Sequence, residues 1–468
     1  MALSHDQLQS AAREHLLLHF ARHGEFGHGG SELLVLERGE GAHVYDTRGR
    51  RYVDGLSCLF CCQIGYSYGA EMAEVAAEQL RTLSFNTNWA TAHPPSIELA
   101  GRLAALAPEG IEKVFFTSGG SESVETAWKL VRQYHLANGE PERTKAIARD
   151  VAYHGVTLGA LALTDVPRFK RPFGDPAIRT RHVANTNRFR SDMSEAELAV
   201  SLLDELEATI EEEGPRTVAM VIAEPIQNAG GCLVPPAGYW QGVREICDRH
   251  GILLVADEVI SGFGRVGEWF AVTRYGGSPD LITTAKGLTS AYAPMGAVLV
   301  SDRVAAPLYG GKAALLHGIT FGGHPLCAAI ALRNIEILER EGVLDNVRRL
   351  ESYLRRRVEE EVLPLPIVGD VRGDGFFFAA EMVRDARGRR FEDNEIEELV
   401  RSYLPGRVRR AGLIARADDR GDPVLQIAPP LIADEGVLDE IVVAMRDSLA
   451  DAGKHLGVGS PTAAGVAR

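Results

Sequence analysis

The sequence predicts an α/β fold: a mainly parallel central sheet covered by helices on both faces, followed by a smaller α+β domain. Three observations carry that expectation. Short apolar runs alternate with helical patterns from Lys113 to Ser301, the order that builds parallel sheets through helical crossovers. The runs are apolar at successive positions, as strands buried on both faces are. From about His324 the alternation stops, and two long helical patterns to Leu363 are followed by strands and helices in mixed order. The 468 residues also exceed what one simple core usually occupies.

In chain order, Ser4 and Gln7 stand as a capping box ahead of Leu8, Leu16, Leu17 and Phe20, which reads as an amphipathic helix and not as a leader peptide. A hairpin follows, His43–Asp46 and Arg51–Asp54 joined through Thr47-Arg-Gly49. Strands are expected at Lys113–Thr117, Lys145–Arg149, Val218–Ala223, Ile252–Asp257, Leu281–Ala285 and Gly296–Ser301, with helices such as Ser121–Asn138 and Tyr239–His250 between them. Later strands are expected near Val368–Gly373, Phe376–Val383, Leu413–Arg416 and Val424–Ala428, with helices near Glu395–Ala411 and Asp434–Asp451. The resulting division is 1–62 for an N-terminal helix and hairpin packed with the small domain, 63–325 for the large domain, and 326–456 for the small α+β domain. Residues 457–468, rich in Gly, Ala, Ser and Pro, read as a flexible tail.

Composition narrows the function. Against 64 acidic side chains stand 50 basic ones, a net charge of −14 that repels phosphate backbones and anionic membranes, so neither nucleic acid nor membrane is expected as a partner. No stretch reaches the ~18 apolar residues that a membrane helix needs. Six cysteines in a chain this long do not form a disulfide scaffold, which points to a reducing, cytoplasmic setting. Cys58 and Cys61 form a CxxC, but no second Cys or His pair follows at zinc-site spacing, so no metal is expected.

Three motifs carry chemistry. Thr117-Ser-Gly-Gly-Ser-Glu122 leaves an apolar strand and opens a helix, where glycines and free N–H groups suit a phosphate. An ordinary turn with Ser121 as its cap is the other reading. Asp257 ends an apolar strand, either capping the next turn or meeting a charged partner such as a protonated ring nitrogen. Lys286 ends another, either snorkelling to the surface or serving as an amine that condenses with an aldehyde.

Joined by Tyr153-His-Gly155 and Glu224-Pro-Ile-Gln-Asn-Ala-Gly-Gly231, these motifs resemble the class III aminotransferases of pyridoxal-phosphate fold type I, over nearly the whole chain. Asp257-Glu-Val-Ile-Ser-Gly-Phe-Gly-Arg265 is the most distinctive stretch. The resemblance implies pyridoxal 5′-phosphate as cofactor, held by Lys286 as a Schiff base, with Lys286 then shuttling the substrate proton. Asp257 binds the pyridinium nitrogen, Tyr153 stacks on one ring face and Val259 packs on the other. Gly120 and Ser121 hold the phosphate, and Glu224 supports the side of the cofactor's hydroxyl. Thr320 corresponds to a threonine that reaches the phosphate from the partner subunit, which implies a homodimer with shared active sites and leaves a tetramer open. His154, His317 and His324 read as packing or capping residues.

The same resemblance extends to substrates. Arg416 stands where amine:pyruvate (ω-) transaminases carry an arginine that grips the keto-acid carboxylate; pairing with Asp418 or Asp419 is the alternative. Phe60 replaces a frequent tryptophan and widens the pocket, while Asn88 and Trp89 match a segment contributed by the partner, and Ala229 belongs to the pocket as well. Val156 follows Tyr-His-Gly where ornithine- and 4-aminobutyrate-type relatives commonly carry arginine. The expected reaction is transfer of an amino group from a primary amine or ω-amino acid to a keto acid, pyruvate, in a ping-pong cycle. A 4-aminobutyrate- or ornithine-type transaminase, an aminomutase and a decarboxylating transaminase are the alternatives. A non-enzymatic relative would have lost Lys286 or Asp257, and both are present.

Overall fold

A central sheet of seven strands organises the chain, in the order Ile111–Thr117, Gly296–Ser301, Leu281–Thr284, Leu253–Asp257, Val218–Ala223, Lys145–Arg149, Arg179–Val183. This computed structural model describes residues 3–26, 31–174, 177–311 and 314–458. All strands run in one direction except Gly296–Ser301, which is antiparallel to both neighbours. Val218–Ala223, Leu253–Asp257 and Gly296–Ser301 are buried at every position. Alternate side chains feed different cores. Val221 and Leu254 pack with Leu202, Trp240 and Ile246 of the helices Glu195–Glu213 and Tyr239–His250. Met220, Leu253 and Val255 pack with Val124, Ala127 and Val131 of the helix Gly120–Ala137. Six of these strands lie where the apolar runs placed them; the seventh, Arg179–Val183, was not expected. Its sequence Arg-Thr-Arg-His-Val carries charge because it is an edge strand, with Arg181 held by Glu212 and Glu213.

Two smaller sheets sit beside it. Val368–Asp374, Phe377–Met382, Val424–Ile427 and Arg416–Asp418 form an antiparallel sheet in that order. The early hairpin is present, extended on one side by Leu36–Glu40 and on the other by Leu413–Ile414, which runs parallel to Arg51–Asp54. The expected strand Leu413–Arg416 is therefore two strands in two sheets, with Ala415 at the crossing. The helix expected over Glu395–Ala411 is interrupted too. A π-helical stretch, Glu397–Tyr403, precedes Leu404–Arg410, because Pro405 has no N–H to continue the regular ladder and Leu404 bonds back to Leu399.

The Ser4–Gln7 capping box forms, yet its helix ends at His15. Leu16, Leu17 and Phe20 lie beyond it and are exposed, so the long amphipathic face is corrected to a short helix followed by an irregular segment. Most of the expected tail, 459–468, lies outside the described residues. Among the described residues no helix is long and apolar enough to cross a membrane.

One buried cation ties these parts together. Arg265 is fully buried and donates to the carbonyls of Phe376 (3.1 Å) and Pro429 (2.6 Å) and to Ser57 Oγ (3.1 Å). Burial pushes its pKa down to about 10, against the opposing pull of Asp54. Arg265→Met keeps much of the volume and strands those acceptors without a donor, so stability should fall by about 3 kcal/mol. Thermal unfolding would read this as a drop of several degrees; an unchanged midpoint would refute it.

Candidate active site

The parallel strands end on one side of the sheet, and there a cavity of about 580 Å³ opens between the central sheet and the small antiparallel one. Its floor comes from strand ends, the position where α/β sheets hold ligands. Asp257 is the last residue of Leu253–Asp257. Its Oδ2 lies 2.7 Å from His154 Nδ1, and its Oδ1 accepts from Thr283 Oγ1 (3.0 Å) and from the N–H of Val259 (3.2 Å). Lys286 follows Leu281–Thr284 on a 3₁₀ turn, with the left-handed φ of +42° aiming it into the cavity. Burial pushes its amine pKa below the ordinary lysine value, and Cys61 and Asp257 oppose that shift. Nζ stands 5.5 Å from the centroid of the Phe60 ring.

Glu224 follows Val218–Ala223 and accepts the N–H groups of Tyr153 (3.2 Å) and Asn228 (2.9 Å). Burial raises its carboxyl above the usual range. Gly120 and Ser121 open the helix Gly120–Ala137, and Ser121 Oγ accepts the N–H of Val156 at 3.2 Å. A Cβ on Gly155 would stand 2.4 Å from that hydroxyl, and φ there is +125°, so only glycine brings the Tyr-His-Gly segment this close. Tyr153 and Val259 both line the cavity.

The opposite wall is charged. Arg416, the first residue of Arg416–Asp418, faces the cavity with its side chain 29% exposed, and its guanidinium has no hydrogen-bond partner among the described residues. Its nearest acid is Asp418, at 3.9 Å. That carboxylate is already engaged by Arg420 through Nε (2.8 Å) and Nη2 (2.5 Å). Burial raises the Asp418 carboxyl, but Arg420 and Arg416 outweigh it and hold its pKa at about 2. Burial, then Arg420, pushes the Arg416 pKa down to about 10. Asp419 is shared by Arg168 and Arg401, so neither neighbouring acid is free to take Arg416.

The sequence model of one family, aminotransferase class-III, matches residues 27–449. This chain is a class III aminotransferase. A probable aminotransferase of Mycobacterium tuberculosis is 48% identical over 96% of this chain and 95% of its own length. A putrescine–pyruvate aminotransferase of Pseudomonas aeruginosa is 39% identical, with 94% and 95% covered. The crystal structure of a thermostable (S)-enantioselective ω-transaminase from Thermomicrobium roseum superposes with a TM-score of 0.92, at 38% identity over 97% of this chain and all of that one.

Class III aminotransferases depend on pyridoxal 5′-phosphate, and the donor set of this aminotransferase fits it. A buried carboxylate suits a protonated ring nitrogen, an amine of lowered basicity suits an aldehyde, and a helix N-terminus with a serine suits a phosphate. Three expected residues stand away from their own chain's cavity. Thr320, Asn88 and Trp89 are exposed, and Asn88 donates to Gly322 O (3.2 Å) while Trp89 packs on Gly318, which places them on one outer patch. Ala229 is fully buried and does not line the cavity, whereas Ile226 and Asn228 beside it in sequence do. His317 bonds Thr126 and stacks on Phe115, and His324 caps Leu326.

Several lining residues have no motif to announce them. Arg420 lies 5.3 Å from the Tyr153 ring centroid, and Phe20 packs on Phe169 at the mouth. His154 read as a structural residue, and its bond to Asp257 gives that support a direct target.

Glu258 anchors the distinctive stretch from behind, accepting Ser261 Oγ (2.5 Å) and the N–H of Val272 (2.7 Å). Burial raises its pKa to about 7 despite those donors. Because the folded value lies above the unfolded one, about 4.3, its stabilisation is complete below pH 4.3 and is lost as pH rises through about 7. Glu258→Gln should therefore remove roughly 3–4 kcal/mol of pH dependence across that window. Unfolding measured from pH 5 to 8 would count against this if variant and wild type kept the same slope.

Proposed function

We propose that this aminotransferase moves the amino group of a primary amine or ω-amino acid to pyruvate in a ping-pong cycle, within a homodimer whose partner completes each site. Arg416 is the observation that carries the reading. A guanidinium that faces the cavity with its fork unengaged is matched to a carboxylate, and both neighbouring acids are already taken. The relative named for putrescine and pyruvate supports the same acceptor.

Pyridoxal phosphate, when bound, supplies the electron sink for the carbon that loses its proton. The residues supply the rest. Asp257, steadied by His154 and Thr283, keeps the ring nitrogen protonated, because an adjacent carboxylate favours the charged form. Gly120, Ser121 and the helix N-terminus orient the phosphate. Tyr153 and Val259 line the cavity and would pack on the ring, and Glu224 would support it from the strand end. Lys286 would hold the cofactor through its aldehyde, and the Lys286 amine is the group placed to move the proton of the substrate carbon. Burial lowers the basicity of that amine, which favours the neutral form that a proton acceptor needs. Phe60 walls the amine pocket with an aromatic face.

Thr320, Asn88 and Trp89 serve the neighbouring copy. Their exposure on one patch, beside exposed Phe85 and Phe321, supports that arrangement. Six free cysteines support a cytoplasmic setting.

Lys286→Ala should abolish the visible absorbance of the bound cofactor and stop turnover; wild-type turnover in that variant would end the assignment. Arg416→Ala should lower kcat/KM for pyruvate by roughly 2–5 kcal/mol while an uncharged amine loses far less, since only the keto acid offers the guanidinium a charge. Equal losses for both would remove Arg416 from acceptor binding.

A further inference from the structure

The turn that presents Phe60 to the cavity places three of its four residues in the left-handed region. Ser57, Cys58 and Phe60 have φ of +48°, +59° and +62°, a region disfavoured for residues with side chains, and no glycine relieves any of them. Such a conformation persists only where its surroundings over-determine it. Here they do so from two sides.

On one side is Asp54, the fully buried end of Arg51–Asp54. Its Oδ1 accepts the N–H of Leu56 at 3.0 Å, and its Oδ2 accepts the N–H of Cys58 at 2.7 Å. The hydroxyl of Tyr66 donates to the same Oδ2 at 2.6 Å. That bond limits where the carboxylate can turn. The Tyr66 ring is held in its turn against Gly39, where a Cβ would stand 2.5 Å from it. On the other side, Ser57 Oγ donates to Ala428 O at 2.7 Å and accepts from Arg265 at 3.1 Å. The ring thus delivered is fully buried, edge-on to Phe377 at 5.7 Å and beneath Lys286 Nζ.

We infer that Asp54 and Tyr66 are positioning residues for the amine pocket: their buried hydrogen bond sets where the Phe60 ring stands, and thereby how sharply the enzyme separates bulky amines from small ones. Neither side chain lines the cavity, so neither acts by touching substrate. Their influence passes through the strained turn, which relaxes toward ordinary backbone angles once Asp54 loses its orientation. This inference rests on the reading that Phe60 walls the amine pocket.

The test is a double-mutant cycle on the holoenzyme, with pyruvate as acceptor and 1-phenylethylamine and isopropylamine as donors. The readout is the ratio of their kcat/KM values. Tyr66→Phe, which deletes one hydroxyl, should shift that ratio about fivefold in the wild-type background and leave it unchanged in the Phe60→Ala background, as coupling through one ring requires. A shift of the same size in both backgrounds, or none in wild type while Phe60→Ala does shift the ratio, overturns the inference alone. No effect of Phe60→Ala on the ratio would instead overturn the reading of Phe60 as the wall. If Tyr66→Phe does not fold, Ser57→Ala loosens the turn from its other side and enters the same cycle.

Discussion

Asp257 closes a strand that is buried at every position, and a carboxylate there leaves water at a cost of several kcal/mol unless partners meet it. His154, Thr283 and the N–H of Val259 meet it from three directions. Each of those partners fixes a further part of the site. His154 draws the Tyr153–Gly155 segment over the strand ends, and the close packing of Gly155 on Ser121 then brings that segment against the start of the helix Gly120–Ala137. Thr283 sets the register of the strand that leads to Lys286. The acid, the amine and the helix N-terminus come together because one charge has to be accommodated.

Around that centre the cavity divides by polarity. Acids and the lysine occupy the floor at the strand ends, whereas four arginines occupy the wall from the small sheet and its surroundings. Three of those arginines are held by Asp418 or Asp419 at 2.7 Å or less, whereas the fourth, Arg416, comes no nearer to an acid than 3.9 Å. Satisfying most of a charged wall leaves one guanidinium facing the cavity without a large uncompensated field. It also explains why Asp418 stays ionised under burial: removing its charge would leave two guanidinium groups facing each other.

Most of the central sheet was legible because its strands are buried on both faces, so their sequences are apolar throughout. Arg179–Val183 escaped because an edge strand needs only one covered side and this one spends its other positions on charge. The residues at the strand ends were legible as motifs, since glycine, lysine and acid at such positions have few structural uses. Arg420 and Arg168 were not: each is one polar residue in a polar stretch, and becomes part of a wall only when the fold supplies Asp418 and Asp419 beside it. The left-handed turn at Ser57–Phe60 was hidden for a related reason. Glycine normally announces positive φ, and here tertiary hydrogen bonds impose it on residues that give no sign. Leu413–Arg416 was read as one strand because nothing local marks Ala415 as a change of sheet.

That change of sheet constrains Arg416 in time as well as in place. Its backbone is pinned on both sides, by Leu413–Ile414 in the hairpin sheet and by its own pairing with Gln426. Any movement of the guanidinium is therefore a matter of side-chain torsions and not of the strand, and exposed side chains change rotamer within nanoseconds, at least about a million times faster than typical turnover. A guanidinium that turned on such a fixed strand would change the shape of the wall without moving either sheet.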